Sequence, residues 1–234
     1  MNLRRNRPGT KAADLWNWQE NIQSLYDKQG VGRHFKYEWA FCSSRIPARI
    51  DKQLFITSTE LFISMIGNDP SLIKKICEPP KEVDEAVWQY EHIRQFILEL
   101  NLLVVQLQGI CTTKSCPKMK ATDEWLYLCA SHKAPQECSA IDYMIHSLDN
   151  STSLIHNNKN FNSRVSIPAA STKHLFSIVR RLYRLFTHTY FHHPDIFSDF
   201  EAEMHLCARF TEFAKRFKMM NQELFIIPDE ALQI

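Results

Sequence analysis

Glycine is scarce, with five residues in a chain of 234. No stretch reads G-x-G-x-x-G, G-x-x-x-x-G-K-[ST] or G-x-S-x-G, so the sequence offers neither a phosphate-cradling loop nor the elbow that exposes a catalytic serine. The H-R-D and D-F-G triplets of protein kinases are absent as well. Charge of one sign is not in excess: 28 Lys and Arg against 26 Asp and Glu leave a formal +2. That is far from the basic surplus that gives general affinity for nucleic acid, so any anion site must be local. Long apolar runs are missing too. The richest, LELNLLVVQL at 98–107, is interrupted and too short to cross a bilayer. No basic segment followed by an apolar core opens the chain, and the expected location is the cytosol.

What the chain does have is seven cysteines and ten histidines. Without a secretory signal, cysteines read as reduced thiols and metal ligands rather than as a disulfide framework. A hydrophobic content of 44% with 12% aromatic is ordinary for a globular domain. The expected organisation is a single domain over residues 15–234 behind a basic, mobile tail at 1–14. Leu15, Trp16 and Trp18 should anchor the start of the domain back onto its body.

Helical periodicity dominates the remainder. From Ser58 to Cys77 apolar residues recur at helical spacing, with a break near Pro70 and a firm end at Pro79 and Pro80. Asp84 can cap a long helix whose stripe, from Val87 through Ile93, Phe96, Leu100 and Val104 to Leu107, ends at Gly109 and should be central to a bundle. Glu124 to Cys129, rich in β-formers, suits one strand of a small hairpin. Ser139 with Asp142 makes a capping box for a helix to Asp149, and polar residues at 149–160 read as a loop. Ser198 and Glu201 make a second capping box, for a last long helix through Phe200, Met204, Cys207, Phe210, Ala214 and Phe217. The fold class is therefore mainly all-α. One segment fits nothing: Asp27-Lys28-Gln29 recurs as Asp51-Lys52-Gln53, bracketing residues without periodicity, so 30–53 reads as an inserted loop.

The chemistry concentrates in STKHLFSIVRRLYRLFTHTYFHH, residues 171–193. Leu175, Ile178, Val179, Leu182, Leu185, Phe186 and Thr189 form the face that should be buried. Arg180, Arg181 and Arg184 lie off that face, leading towards His188, His192 and His193, with no acidic residue within a turn. Three guanidinium forks on one helix suit a phosphate, although a solvated arginine face is the plainer reading. Cys111 and Cys116, in CTTKSC, follow the long helix. Two thiolates and two imidazoles favour a tetrahedral Zn²⁺ with no open position, hence a structural one. Two unrelated pairs are the alternative, because C-x₄-C is at the edge of the usual spacing. His188 and His192 share a helical face, whereas His193 would lie about 140° away on an ideal helix. Yet His193 precedes Pro194, which disfavours α geometry there and lets its ring swing aside.

LRRNRPGTKA, EPP followed by VWQYEHIRQFILELN, CTTKSCPKM, EWLYLCASHKAP-x-ECSAIDY, RVSI and RRLYRLFTHTYFHH together resemble the Mob family, in its phocein branch. The resemblance spans positions 3–18 and about 54–230; the segment 30–53 has no counterpart in it. It implies a helical fold around a four-helix bundle, a structural zinc and a non-catalytic adaptor that binds kinases and phosphopeptides. Its C-x₄-C and H-x₄-H pattern implies Cys111, Cys116, His188 and His193 as zinc ligands, and Arg180, Arg181 and Arg184 as phosphopeptide-binding residues. It further implies assemblies of striatin-type scaffolds with protein phosphatase 2A and germinal-centre kinases, with peripheral links to Golgi membranes and vesicle traffic. Two rival classes remain to be weighed against an adaptor. A zinc hydrolase would use three ligands plus water, with Glu124 as base. A nucleic-acid module would rest on the basic N-terminus and the basic, aromatic residues of 30–53.

Overall fold

The computed structural model describes residues 72–79, 83–163 and 166–232. The expected tail at 1–14, the Trp16 and Trp18 anchor, the insertion at 30–53 and the first part of the helix from Ser58 lie outside the described residues. Six α-helices run in order: α1 Leu72–Ile76, α2 Glu85–Leu107, α3 Ala140–Ile155, α4 Ala169–His192, α5 Pro194–Met204 and α6 Leu206–Arg216. Short 3₁₀ turns follow at Gln222–Leu224 and Asp229–Leu232.

α2 is the hub, packing against α3, α4, α5 and α6. Its start is set by Asp84, whose Oδ1 accepts from the Val87 amide at 3.0 Å, as an N-cap should. α4 lies against both α2 and α3. Every residue of its stripe named above, from Leu175 to Thr189, is buried. Each large aliphatic or aromatic side chain taken from water in this way contributes about 1.5–3 kcal/mol.

Three expectations change in detail. The helix from Ser139 does not stop at Asp149 but continues to Ile155, because Ser151 and Ile155 extend the buried stripe of Leu148 and the Ile155 carbonyl accepts from the Tyr90 hydroxyl at 3.2 Å. The hairpin reduces to two isolated antiparallel bridges, Lys120 with Leu126 and Cys129 with Gln136. The last long helix is two. Ser198 is exposed within α5, which begins instead at Pro194, a residue suited to a first helical turn. His205, in the left-handed conformation at φ 48°, ends α5 and starts α6. Glu201 caps the second helix, not the first: its carboxylate accepts from the amides of Cys207 and Ala208, each at 2.8 Å. Burial pushes the Glu201 carboxyl up to about 7, against the pull of those amides.

Where α2 meets α6, His92 stacks on Phe213 with ring centroids 5.1 Å apart and 10° between planes. Its Nδ1 donates to the Trp88 carbonyl at 3.2 Å, and burial pushes the imidazole down to about 4 from 6.5. Between those values the unfolded chain takes up a proton that the folded one refuses. The contribution is therefore fully present above pH 6.5 and lost as pH falls through 4. Urea denaturation at pH 7 and pH 4.5 should differ by up to about 3 kcal/mol from this residue. His92→Phe, which keeps the stack, should remove that part of the difference; an unchanged acid slope would show that His92 is not its source.

Candidate metal centre

At the end of α2 the chain turns through Gly109, whose φ of 84° is open to glycine at little cost. The Cys111 amide then donates back to the Leu107 carbonyl at 2.8 Å. The four residues between the cysteines are folded by their own hydroxyls. Ser115 Oγ accepts from the Thr112 amide at 2.8 Å and donates to the Ile110 carbonyl at 2.8 Å, while the Cys116 amide donates to the Thr112 carbonyl at 2.8 Å. This turn sets both sulfurs on one side, which answers the doubt about the long C-x₄-C spacing.

The partner pair comes from the end of α4. His188 donates from Nδ1 to the Lys120 carbonyl at 2.7 Å, fixing the tautomer and leaving Nε2 3.5 Å from Cys111 Sγ. Burial pushes this imidazole down to about 4, so it is neutral at physiological pH, as a ligand must be. His193, with φ −138° and ψ 57°, leaves helical geometry ahead of Pro194 and places Nε2 3.5 Å from Cys116 Sγ. Ligand atoms of Cys111, Cys116, His188 and His193 all lie within 4.8 Å of one another.

These residues fit a metal ion. Tetrahedral Zn²⁺ with bonds near 2.3 Å to sulfur and 2.0–2.1 Å to nitrogen sets sulfur–nitrogen edges at roughly 3.6 Å. Both cross pairs stand at 3.5 Å. Burial, then the neighbouring Cys116 sulfur, pushes the Cys111 thiol up, so two adjacent buried thiolates require a cation to exist together. His192 is not a member. It is half-buried and stacks on His188 with centroids 4.6 Å apart, and its Nε2 has no hydrogen-bond partner among the described residues. Glu124, the base of the hydrolase alternative, is exposed and also outside the cluster.

One turn before His188 on α4 lies the arginine face. Arg180 is exposed, and Arg181 and Arg184 are half-buried. Arg184 Nη1 donates to the Tyr143 hydroxyl at 2.7 Å, and its guanidinium lies 4.8 Å from the centroid of the Tyr127 ring. Tyr127 in turn contacts Thr187 Oγ1 at 3.4 Å. This aromatic seat escaped sequence reasoning, since three segments distant in sequence supply it. Among the described residues none of the three arginines forms an ion pair with a carboxylate.

A family model described as Mob1/phocein family matches residues 65–227, which covers α1 to α6. The chain belongs to the Mob1/phocein family. It is 42% identical over 227 residues to MOB kinase activator-like 4 of Drosophila melanogaster, covering 97% of this chain and 90% of that one. It is 40% identical over 226 residues to MOB-like protein phocein of Caenorhabditis elegans, with the same coverage. A more distant relative is the maintenance of ploidy protein mob1 of Schizosaccharomyces pombe, 28% identical over 152 residues, 62% of this chain and 72% of that one. Members of the Mob1/phocein family are adaptors rather than enzymes, and this phocein-type chain is non-catalytic. The hydrolase alternative ends there. Among the described residues no helix is long and apolar enough to cross a membrane.

Proposed function

We propose that this Mob1/phocein member is a zinc-stabilised adaptor that reads phosphorylated kinase segments through Arg180, Arg181 and Arg184. One observation carries the reading: three arginines cluster at the end of α4 that leads to the Cys₂His₂ centre, with no carboxylate partner among the described residues. Cys111, Cys116, His188 and His193 hold the zinc, whose role is to tie the loop after α2 to the end of α4. It supplies no reaction; it keeps the arginine helix in place. A phosphothreonine brings nearly two negative charges and three acceptor oxygens, which guanidinium forks satisfy in pairs.

The partners follow from the phocein-type kinship. They are striatin-type scaffolds, germinal-centre kinases and a protein phosphatase 2A assembly, in the cytoplasm and peripherally at Golgi membranes. A nucleic-acid role has no support in the charge balance of +2, and the segment 30–53 on which it rested lies outside the described residues.

A phosphothreonine peptide from a candidate kinase should bind where its unphosphorylated twin does not, and more weakly as salt rises. Arg181→Ala and Arg184→Ala should each cost roughly 1.5–3 kcal/mol of that binding, the scale of a hydrogen bond to a charged group, with little change in folding. Arg184→Lys, which keeps the charge and loses the fork, should recover only part. Equal titration curves for the two peptides would reduce the stripe to a solvated face. Affinity capture of the full chain, with and without residues 30–53, tests the scaffold and phosphatase partners separately.

A further inference from the structure

Residues 125–129 use only one of their two backbone edges. The Tyr127 amide donates to the Met119 carbonyl at 2.8 Å, the Trp125 carbonyl accepts from the Ala121 amide at 3.0 Å, and Cys129 exchanges both backbone bonds with Gln136, at 2.8 and 3.2 Å. In an extended chain alternate residues aim their backbone groups at opposite edges. The amides and carbonyls of Leu126 and Leu128 therefore point the other way, and among the described residues they make no hydrogen bond.

The side chains divide in the same fashion. Tyr127 and Cys129 turn inward, to Thr187 and His146. Leu126 and Leu128 turn outward, 42% and 47% exposed. A short edge left to water would explain the free backbone groups, but it does not call for two leucines. Natural edges are guarded by charge or proline, and residues 125–129 contain neither.

The free edge faces the arginines. Residues 119–121 meet α4 at His188, whose Nδ1 donates to the Lys120 carbonyl, and residues 125–129 meet it at Arg184, whose guanidinium lies over the Tyr127 ring. Each extended segment thus steps towards the start of α4. Neighbouring strands stand about 4.8 Å apart and a helix rises about 1.5 Å per residue, so the next strand position falls about three residues before Arg184, over Arg180 and Arg181. Those arginines have no carboxylate partner among the described residues, and a chain laid there with negative charge on its inner side would supply one.

We propose that a phosphothreonine segment adds to this edge as an antiparallel strand, with the phosphothreonine opposite Tyr127 and its phosphate on Arg181 and Arg184. The inference rests on the phosphopeptide reading above and states how the rest of the segment is recognised. In that register the residues on either side of the phosphothreonine lie opposite Leu126 and Leu128, exchange backbone hydrogen bonds with them, and set their side chains outward against the two leucines. The partner is thus an extended segment with apolar, β-branched residues immediately before and after the phosphothreonine.

Full-length protein titrated with short phosphothreonine peptides, their two flanking residues both valine or both serine, tests this. The valine peptide should bind about tenfold more tightly. An N-methyl group on the amide of the residue after the phosphothreonine should cost about tenfold, whereas one on the phosphothreonine's own amide, which points away from the edge, should cost much less. Hydrogen exchange at the Leu126 and Leu128 amides should slow when the valine peptide is added, and not with inorganic phosphate. Leu126→Ser combined with Leu128→Ser should bring the two peptides to equal affinity; should that variant not fold, the N-methyl series and the exchange of the parent still decide. Phosphate-dependent binding that ignores the flanking residues and the N-methyl position, with exchange at Leu126 and Leu128 unaltered, overturns the added strand and leaves the arginine reading standing. Exchange there that slows as the protein is concentrated without peptide assigns the edge to a second copy and likewise overturns it. Peptides that bind equally with and without phosphate overturn the arginine reading, and this inference with it.

Discussion

Cys111→Ser is expected to lower the unfolding free energy by several kcal/mol and to leave a protein that a chelator no longer destabilises through this centre. The thiolate is a ligand that serine cannot replace, and structural zinc supplies about 10–16 kcal/mol of apparent binding energy in small zinc-finger peptides at pH 7. Here a packed core of α2, α3 and α4 shares the task, so the variant should lose part of that range and still fold. Urea titrations of parent and variant, with and without chelator, measure it. His193→Ala should reproduce Cys111→Ser, because His193 Nε2 faces Cys116 Sγ at 3.5 Å. His192→Ala should not, since its ring stacks on His188 from outside the ligand set. A parent protein whose denaturation midpoint ignores the chelator would remove the metal from the account of this fold.

Much of this centre was legible in the residues because it obeys short-range rules. The thiol pair sits just past a helix end marked by Gly109, and the imidazole pair sits at another helix end marked by Pro194. What periodicity alone could not give was the choice between His192 and His193. An ideal helix favours His192, and only the resemblance to known chains and the proline beside His193 argued otherwise. In the structure His193 is the residue that leaves helical geometry, at ψ 57°. The arginine face was readable as position but not as environment, because Tyr127 and Tyr143 come from a loop and from α3.

The misreadings have a common cause: a local signal was used by a different neighbour. Glu201 lies three residues after Ser198, the spacing of a capping box, yet its carboxylate turns forward to cap α6. No glycine or proline marks the break at His205, where a histidine accepts a left-handed backbone that the sequence does not advertise. Cys129, His132, Cys138 and His146, whose ligand atoms all lie within 4.8 Å of one another, show the reverse. Their spacing, C-x₂-H-x₅-C-x₇-H, stands in the sequence, but three of them belong to a loop and only His146 to a helix. The Cys129–Gln136 bridge returns Cys138 to Cys129, a pairing that no periodicity announces.

Arg209→Met should destabilise the protein by about 3–5 kcal/mol, the cost of leaving a buried charge without its partner. Arg209 and Glu99 have side chains only 3% and 1% exposed and form an ion pair joining α6 to α2. The fork is two-pronged: Nη2 meets Glu99 Oε2, and Nη1 stands 3.4 Å from Oε1. Nη2 also donates to the Met204 carbonyl at 3.2 Å, the last residue of α5, while Gln95 donates to Glu99 from one turn away. Burying both charges costs several kcal/mol before their attraction is counted, so the pair as a whole need not favour folding. Pairing the first change with Glu99→Leu should therefore restore much of the loss, and the two single changes should be far from additive. The left-handed break at His205 would otherwise leave α5 and α6 free to choose their angle against α2; the guanidinium reaches across it to Met204 on one side and Glu99 on the other. If the single and double variants lose equal stability in urea, packing of Phe210 and Phe213 against Phe96, and not the ion pair, sets that joint.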